Sequence, residues 1–185
     1  MKREYRNGQY DRCVKPEFVR RDFMSRLGVL YALDNDDVNK LRAFPAEERY
    51  EYMLNEIEER LFGTPRSCEL DKAWEGIQYC LGNGVWSEEN AVPTNIVFGG
   101  EFLVDDEDDV ITLKDQSDIE KIVDFLHRND LQELIRENFP KIEDEDFQYN
   151  NEDGLEHTLG WSEEILSFYE NALKENYQVI FTVDF

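Results

Sequence analysis

The stretch ELDKAWEGIQYCLGNG, residues 69–84, gathers two carboxylates, a lysine and a tryptophan on what reads as one short helix. Asp71 and Glu75 stand four residues apart, so on a helix their carboxylates share a face, and Lys72 beside them would favour the ionised form of a neighbour. Paired acids of this kind bind a metal or divide acid and base roles. Gln78 falls on the same side, and Trp74 sits at the border of the apolar stripe. A second feature, Gly99-Gly100, interrupts TNIVFGGEFLV (94–104), a strand pattern in which bare backbone can approach a ligand. The candidate ligand-binding set is therefore Asp71, Lys72, Trp74, Glu75, Gln78, Gly99 and Gly100, lying between a 69–81 helix and the Gly99-Gly100 strand. A plainer reading covers the same residues. Asp71 in a first turn suits the helix macrodipole, Glu75 is solvated, Trp74 is core, and the glycines mark a bulge or a close helix contact.

Other chemistries fail on spacing. Gly82-x-Gly84 lacks a third glycine and ends a helix instead of opening one, which excludes P-loop and Rossmann turns. The acidic run DDEDD (105–109) invites calcium, but an EF-hand needs glycine at its sixth place and glutamate at its twelfth. Val110 and Gln116 stand there. His127 and His157 have no partner at zinc-ligand spacing, so no metal is expected. Cys80 lies on the apolar stripe, where a thiol is inert, and neither GxSxG nor a kinase signature occurs. No catalytic residue is assigned and no cofactor is expected.

Composition narrows the partners. The chain has 185 residues with 20 basic against 43 acidic side chains, a formal charge of −23. Such a field repels nucleic acid and anionic lipid and attracts cations or basic proteins, although it also serves plain solubility. Residues 1–23 run the other way, with seven Lys or Arg against four acids, a local +3. This basic arm is expected to lie on the acidic body after it, because opposite charges already share the molecule. No apolar run nears the ~20 residues that span a bilayer, and no apolar segment follows the basic start as a secretory signal requires. Cys13, Cys68 and Cys80 form an odd set without CxxC, which reads as reduced thiols in a cytoplasm.

These features need a scaffold. RLGVLYAL (26–33) reads as the first strand, and Asp34, Asn35 and Asp36 offer N-caps for the helix after it. Pro45 opens a longer helix in which Tyr50, Met53, Leu54, Ile57 and Leu61 form one stripe. The 69–81 helix ends at Gly82 or Gly84, where a left-handed residue is wanted. Residues 94–104 and VITL (110–113) make a hairpin around the acidic run. Ser117-Asp118-Ile119-Glu120 reads as a capping box for a helix burying Ile119, Ile122, Val123 and Leu126. A short helix comes next over DLQELIRENF, then a loose acidic loop, then one long helix from Asp153 through Leu173 despite Gly160. YQVIFTVDF is a strong final strand. Helices cluster between few strands, so the fold class is α+β: a single domain with a small mixed or antiparallel sheet of about four strands and about six helices. The first and last strands are central, being almost unbroken apolar runs.

The motif Asp71-Lys72-x-Trp74-x-Gly76-Ile77, then IVFGGEFL, then FYENALKENYQVIFTVDF, is similar in kind and order to the YfbM-like domain family of unknown function. The resemblance spans about residues 24–185, with residues 1–23 as an added arm. It implies an α+β domain of bacterial, cytoplasmic type. It implies a histidine where this chain has Gln78, so any chemistry resting on that histidine is missing here. It brings no activity, cofactor or catalytic residue.

Two functions fit. One is a non-enzymatic module, immunity- or antitoxin-like, whose acidic surface at 105–109 and 143–153 docks a basic protein. The other is a small-molecule-binding domain or enzyme using Asp71 and Glu75 as polar anchors. The first is preferred, because the body carries −26 without a catalytic pattern.

Overall fold

A computed structural model describes residues 27–87, 91–105, 109–145 and 147–184. The basic arm, Cys13 and the centre of the acidic run lie outside the described residues. Strand β1 (Leu27–Leu33) and the last strand, β5 (Gln178–Asp184), pair antiparallel along their whole length, from Leu27 opposite Asp184 to Leu33 opposite Gln178. Three further strands complete one antiparallel sheet: β2 (Ser67–Asp71), β3 (Glu101–Asp105) and β4 (Val110–Lys114). Their order is β2-β1-β5-β4-β3, so β1 and β5 are interior as their apolar runs require.

Both faces of the sheet are covered, which divides the core. Side chains alternate along a strand, so Leu30 and Ala32 point to one face while Val29, Tyr31 and Leu33 point to the other. The second face packs against α1 (Asn35–Ala43) and against a helical stretch made of α2 (Ala46–Tyr52), a π-helical segment (Met53–Glu58) and α3 (Glu59–Leu61). Met53, Ile57 and Leu61 are the buried positions of the expected stripe. The first face carries α4 (Ala73–Leu81), α5 (Gln116–Arg128), α6 (Leu131–Asn138), α7 (Glu152–Ser162) and α8 (Ile165–Lys174) over the larger core.

Four local expectations need correction. Residues 69–71 are strand, not helix. Burial alternates along Ser67–Asp71, Cys68 and Leu70 facing inward, and the ladder to β1 adds the fifth strand. Leu70, Ala73, Trp74 and Ile77 imitate one helical stripe because strand alternation runs straight into helix periodicity. Asp71 marks the junction, with φ +48°, its own carboxylate accepting from the Lys72 amide at 2.6 Å. Residues 94–100 are likewise not strand. Thr94–Ile96 form a 3₁₀ turn, and β3 starts only at Glu101.

The expected long C-terminal helix breaks at Glu163-Glu164. The Leu159 carbonyl, which would hold the next turn, accepts instead from the Ser162 hydroxyl at 2.8 Å and the Gln132 amide at 2.9 Å. Finally, α5 is capped by Asp115, whose carboxylate accepts from the Asp118 amide at 3.0 Å, not by a box built on Ser117. The segment before α7 is less loose than its acids suggest, since Ile142 and Phe147 are buried and Asn150 donates to the Ile142 carbonyl at 2.6 Å.

Candidate functional site

The residues singled out by type and spacing part into two places. Trp74 and Gln78 are inside. Trp74 is 1% exposed and packs against Trp86, Phe98 and Phe181 with ring centroids 6.1, 6.3 and 5.5 Å away. Gln78, expected on a polar face, is fully buried: its oxygen accepts from the Phe98 amide at 3.2 Å and its amide donates to the Ser87 carbonyl at 2.7 Å. Glu75 is half-buried on the same helix.

Gly99 and Gly100 are buried with them. A side chain at Gly99 would meet Asn95 Oδ1 at 2.2 Å, and one at Gly100 (φ +123°) would meet the Leu113 carbonyl at 2.5 Å. The glycines serve a close approach of chain to chain.

Burial of an irregular segment explains a group of polar residues that sequence reasoning missed. Backbone groups at 96–98 have no ladder, so they need side-chain partners inside the core. Gln78 takes the Phe98 amide. Tyr169 donates to the Ile96 carbonyl at 2.6 Å. Lys114, fully buried at the end of β4, donates to the Val97 carbonyl at 2.5 Å and the Thr112 hydroxyl at 2.7 Å, with its amine 5.5 Å from the Phe181 ring centre. Desolvation holds the Lys114 amine well below the usual lysine value, opposed by the field of Asp118, and pushes the Tyr169 phenol well above its own. A perturbed lysine often marks chemistry. Here its hydrogen bonds bind it to a structural loop.

The second place is a groove along the edge strand β2. The turn after α3 supplies Gly63 and Thr64, β2 supplies Ser67 and Glu69, and α7 supplies His157, Gly160 and Trp161. Glu163 and Glu164, exposed at the break before α8, close it to a volume of about 700 Å³. A smaller hollow of about 160 Å³ adjoins it, sharing Glu69 and Trp161 and adding Asp71, Phe62, Leu27 and Gly28. Asp71 thus leaves the helix on which it was expected and lines this hollow. His157 Nε2 lies 3.9 Å from Asp71 Oδ2, and its ring meets Trp161 edge-on at 6.1 Å. The helix break that periodicity hid is what places the two glutamates at the rim.

The two hydroxyls in the groove are spent on backbone: Thr64 donates to the Leu61 carbonyl at 2.6 Å and Ser67 to the Thr64 carbonyl at 3.1 Å. At 3.9 Å the imidazole and Asp71 are beyond hydrogen-bond reach, so no oriented base stands beside a nucleophile among the described residues of the groove. Burial pushes the Cys68 and Cys80 thiols up to about 12, which keeps both protonated. Among the described residues no three His, Cys, Asp or Glu side chains converge as a metal site, and no helix is long and apolar enough to cross a membrane. No ion pair among the described residues involves Glu69, Glu163 or Glu164. The groove is a negative trough with an indole in its wall.

Comparison with known proteins gives the fold without an activity. The crystal structure of YfbM from Escherichia coli, a protein of unknown function, is similar at a TM-score of 0.58, with 22% identity over 85% of this chain and 99% of that one. No curated protein matches. The model of one family, described as a domain of unknown function (DUF1877), matches residues 24–182, and this chain belongs to that family.

Proposed function

We propose that this protein is a non-enzymatic binding domain of the cytoplasm that seats a basic segment of a protein partner in the β2-edge groove. The observation that carries the reading is three carboxylates without ion-pair partners among the described residues, Glu69, Glu163 and Glu164, around a groove of about 700 Å³ walled by Trp161. A Lys or Arg stem would lie on the indole while its cation meets the carboxylates, each exposed pair being worth at most about 1 kcal/mol, so affinity needs several at once. The field of the whole chain would speed encounter and make it salt-sensitive. Two free, buried thiols support a reducing compartment.

The test is titration of the full chain with a Lys/Arg-rich peptide, monitored at the Trp161 indole resonance. Binding should weaken steeply with salt and be lost in Gly160→Arg. Position 160 has nothing within 4 Å, so that side chain fills the groove without disturbing the core. Equal peptide affinity in the wild type and Gly160→Arg would refute the assignment. A second reading is favoured by the smaller hollow: a small cationic molecule held between Asp71 and Trp161, for which Asp71→Asn would abolish binding while Glu163→Gln would not.

A further inference from the structure

One wall of the groove is a sheet edge, and its backbone carries an inference that rests on the binding role assigned above. Strand β2 ends the sheet, with β1 as its neighbour. The Ala32 amide donates to the Arg66 carbonyl at 2.8 Å, which makes these two residues a hydrogen-bonded pair. Such pairs alternate along an antiparallel ladder, so Leu30 with Cys68 is the next, and Ser67 and Glu69 turn their backbone groups outward. The Ser67 amide agrees with this direction, since it donates at 3.0 Å to the Thr64 carbonyl in the turn before the strand. We propose that a partner's basic segment enters the groove as an extended strand and pairs with the outer edge of β2, extending the five-stranded sheet by one.

The edge is unspent: among the described residues nothing bonds the Glu69 amide, the Glu69 carbonyl or the Ser67 carbonyl on that side. There is also room. Ser67 and Glu69 line the groove of about 700 Å³, and Gly160 opposite them leaves open the lane that a strand needs about 4.8 Å away. Charge then chooses the occupant. Cys68 and Leu70 point into the core beneath α7 and α8, so Glu69 points to the other face, while Glu163 and Glu164 stand at the α7–α8 break. Side chains of an added strand alternate between those faces, so a lysine or arginine on either one meets a carboxylate. A second copy pairing through its own β2 brings Glu69 against the same acids, which is unfavourable. The opposite edge of the sheet is closed. Strand β3 has a bulge between Phe102 and Val104, its Leu103 carbonyl accepts from Arg49 at 2.8 Å, and Arg42 holds Glu101 at 2.9 Å. Strand β2 is guarded instead by an acid, which repels acidic strands and admits basic ones.

The probe is an octapeptide of two lysine-lysine-threonine-threonine repeats, compared with an analogue of the same charge N-methylated at every amide. Both are titrated into the full chain, and amide hydrogen exchange is read at Glu69, Cys68 and Leu103. A net hydrogen bond is worth a factor of about 2–10 in affinity. The three outward groups of β2 should therefore favour the unmethylated peptide by at least about tenfold. Saturating unmethylated peptide should also slow exchange of the Glu69 amide by at least about tenfold. The Cys68 amide, which already faces β1, and the Leu103 amide on the other edge strand should not change.

Tighter binding of the unmethylated peptide together with Glu69 protection supports the added strand. Equal affinity for the two peptides, or an unprotected Glu69 amide at saturation, would overturn it. Where both peptides bind alike, weaken with salt and are lost in Gly160→Arg, the strand is refuted and the basic-segment reading stands. Where neither binds, that reading falls and the strand falls with it. Glu69 protection that appears without peptide and grows with protein concentration assigns the edge to a second copy, which also refutes the inference.

Discussion

Lys114→Met replaces an amine with no exposed surface, and its effect on stability depends on pH. Two opposed contributions act at neutral pH. The variant leaves the Val97 carbonyl buried without its 2.5 Å donor, which costs about 1–3 kcal/mol. It also removes an amine whose burial is itself unfavourable, and a hydrophobic replacement of a buried charged group is often neutral or stabilising. The net change at one pH is thus a poor test. The slope is a good one.

Burial holds the folded amine well below its usual 10.5, while the unfolded chain titrates near the usual value. Between those two values the unfolded state carries a proton that the folded state lacks, so wild-type stability rises with pH by up to about 1.4 kcal/mol per unit. Below the folded value both states are protonated and the slope vanishes. Above 10.5 both are neutral. The Cys68 and Cys80 thiols, pushed up to about 12, act oppositely: above about 9 the unfolded state loses protons that the folded state keeps, and stability falls. They do so in both proteins and cancel in the difference. Urea unfolding at intervals between about pH 7 and pH 10 under reducing conditions should give a wild-type-minus-variant stability that climbs with pH. A constant difference across that range would refute a neutral, desolvated Lys114.

Other substitutions probe the same packing. Gln78→Leu removes both partners of a buried amide and carbonyl, Phe98 and Ser87, and should lower unfolding free energy by about 2–4 kcal/mol in a urea melt. Gly28→Ala puts a methyl 2.6 Å from the Trp74 ring and should cost about 1–3 kcal/mol, with a shifted indole resonance for Trp74. Gly160→Ala meets nothing within 4 Å and replaces a helical glycine, so it should raise stability by about 0.5–1 kcal/mol. A matching loss there would show that the backbone at 160 is not helical. Asp37→Asn weakens the charge pairing of Arg60 at 2.7 Å and Arg66 at 3.3 Å. Since Arg60 is half exposed, about 1–2 kcal/mol is expected in thermal or urea unfolding, declining as salt is raised.

Sequence alone determined the features that depend on a residue's near neighbours along the chain. The almost unbroken apolar runs RLGVLYAL and YQVIFTVDF announced interior strands, the expected hairpin of 94–104 with 110–113 is strand over 101–105 and 110–114 only, and Cys80 and Trp74 declared themselves core by helical spacing. Tertiary structure decided the rest. Residues 67–71 became strand because β1 offered an edge, a choice that local periodicity does not encode. Gln78, Lys114 and Tyr169 became pins for a buried turn because that turn's backbone lost water and had no ladder to bond. Glu69 reads as an ordinary surface residue far along the chain from His157 and Glu164, until the helix break and the β2 edge bring all three to one groove. Charge along a chain is additive and can be counted, but a binding surface is a coincidence of distant residues that only packing creates.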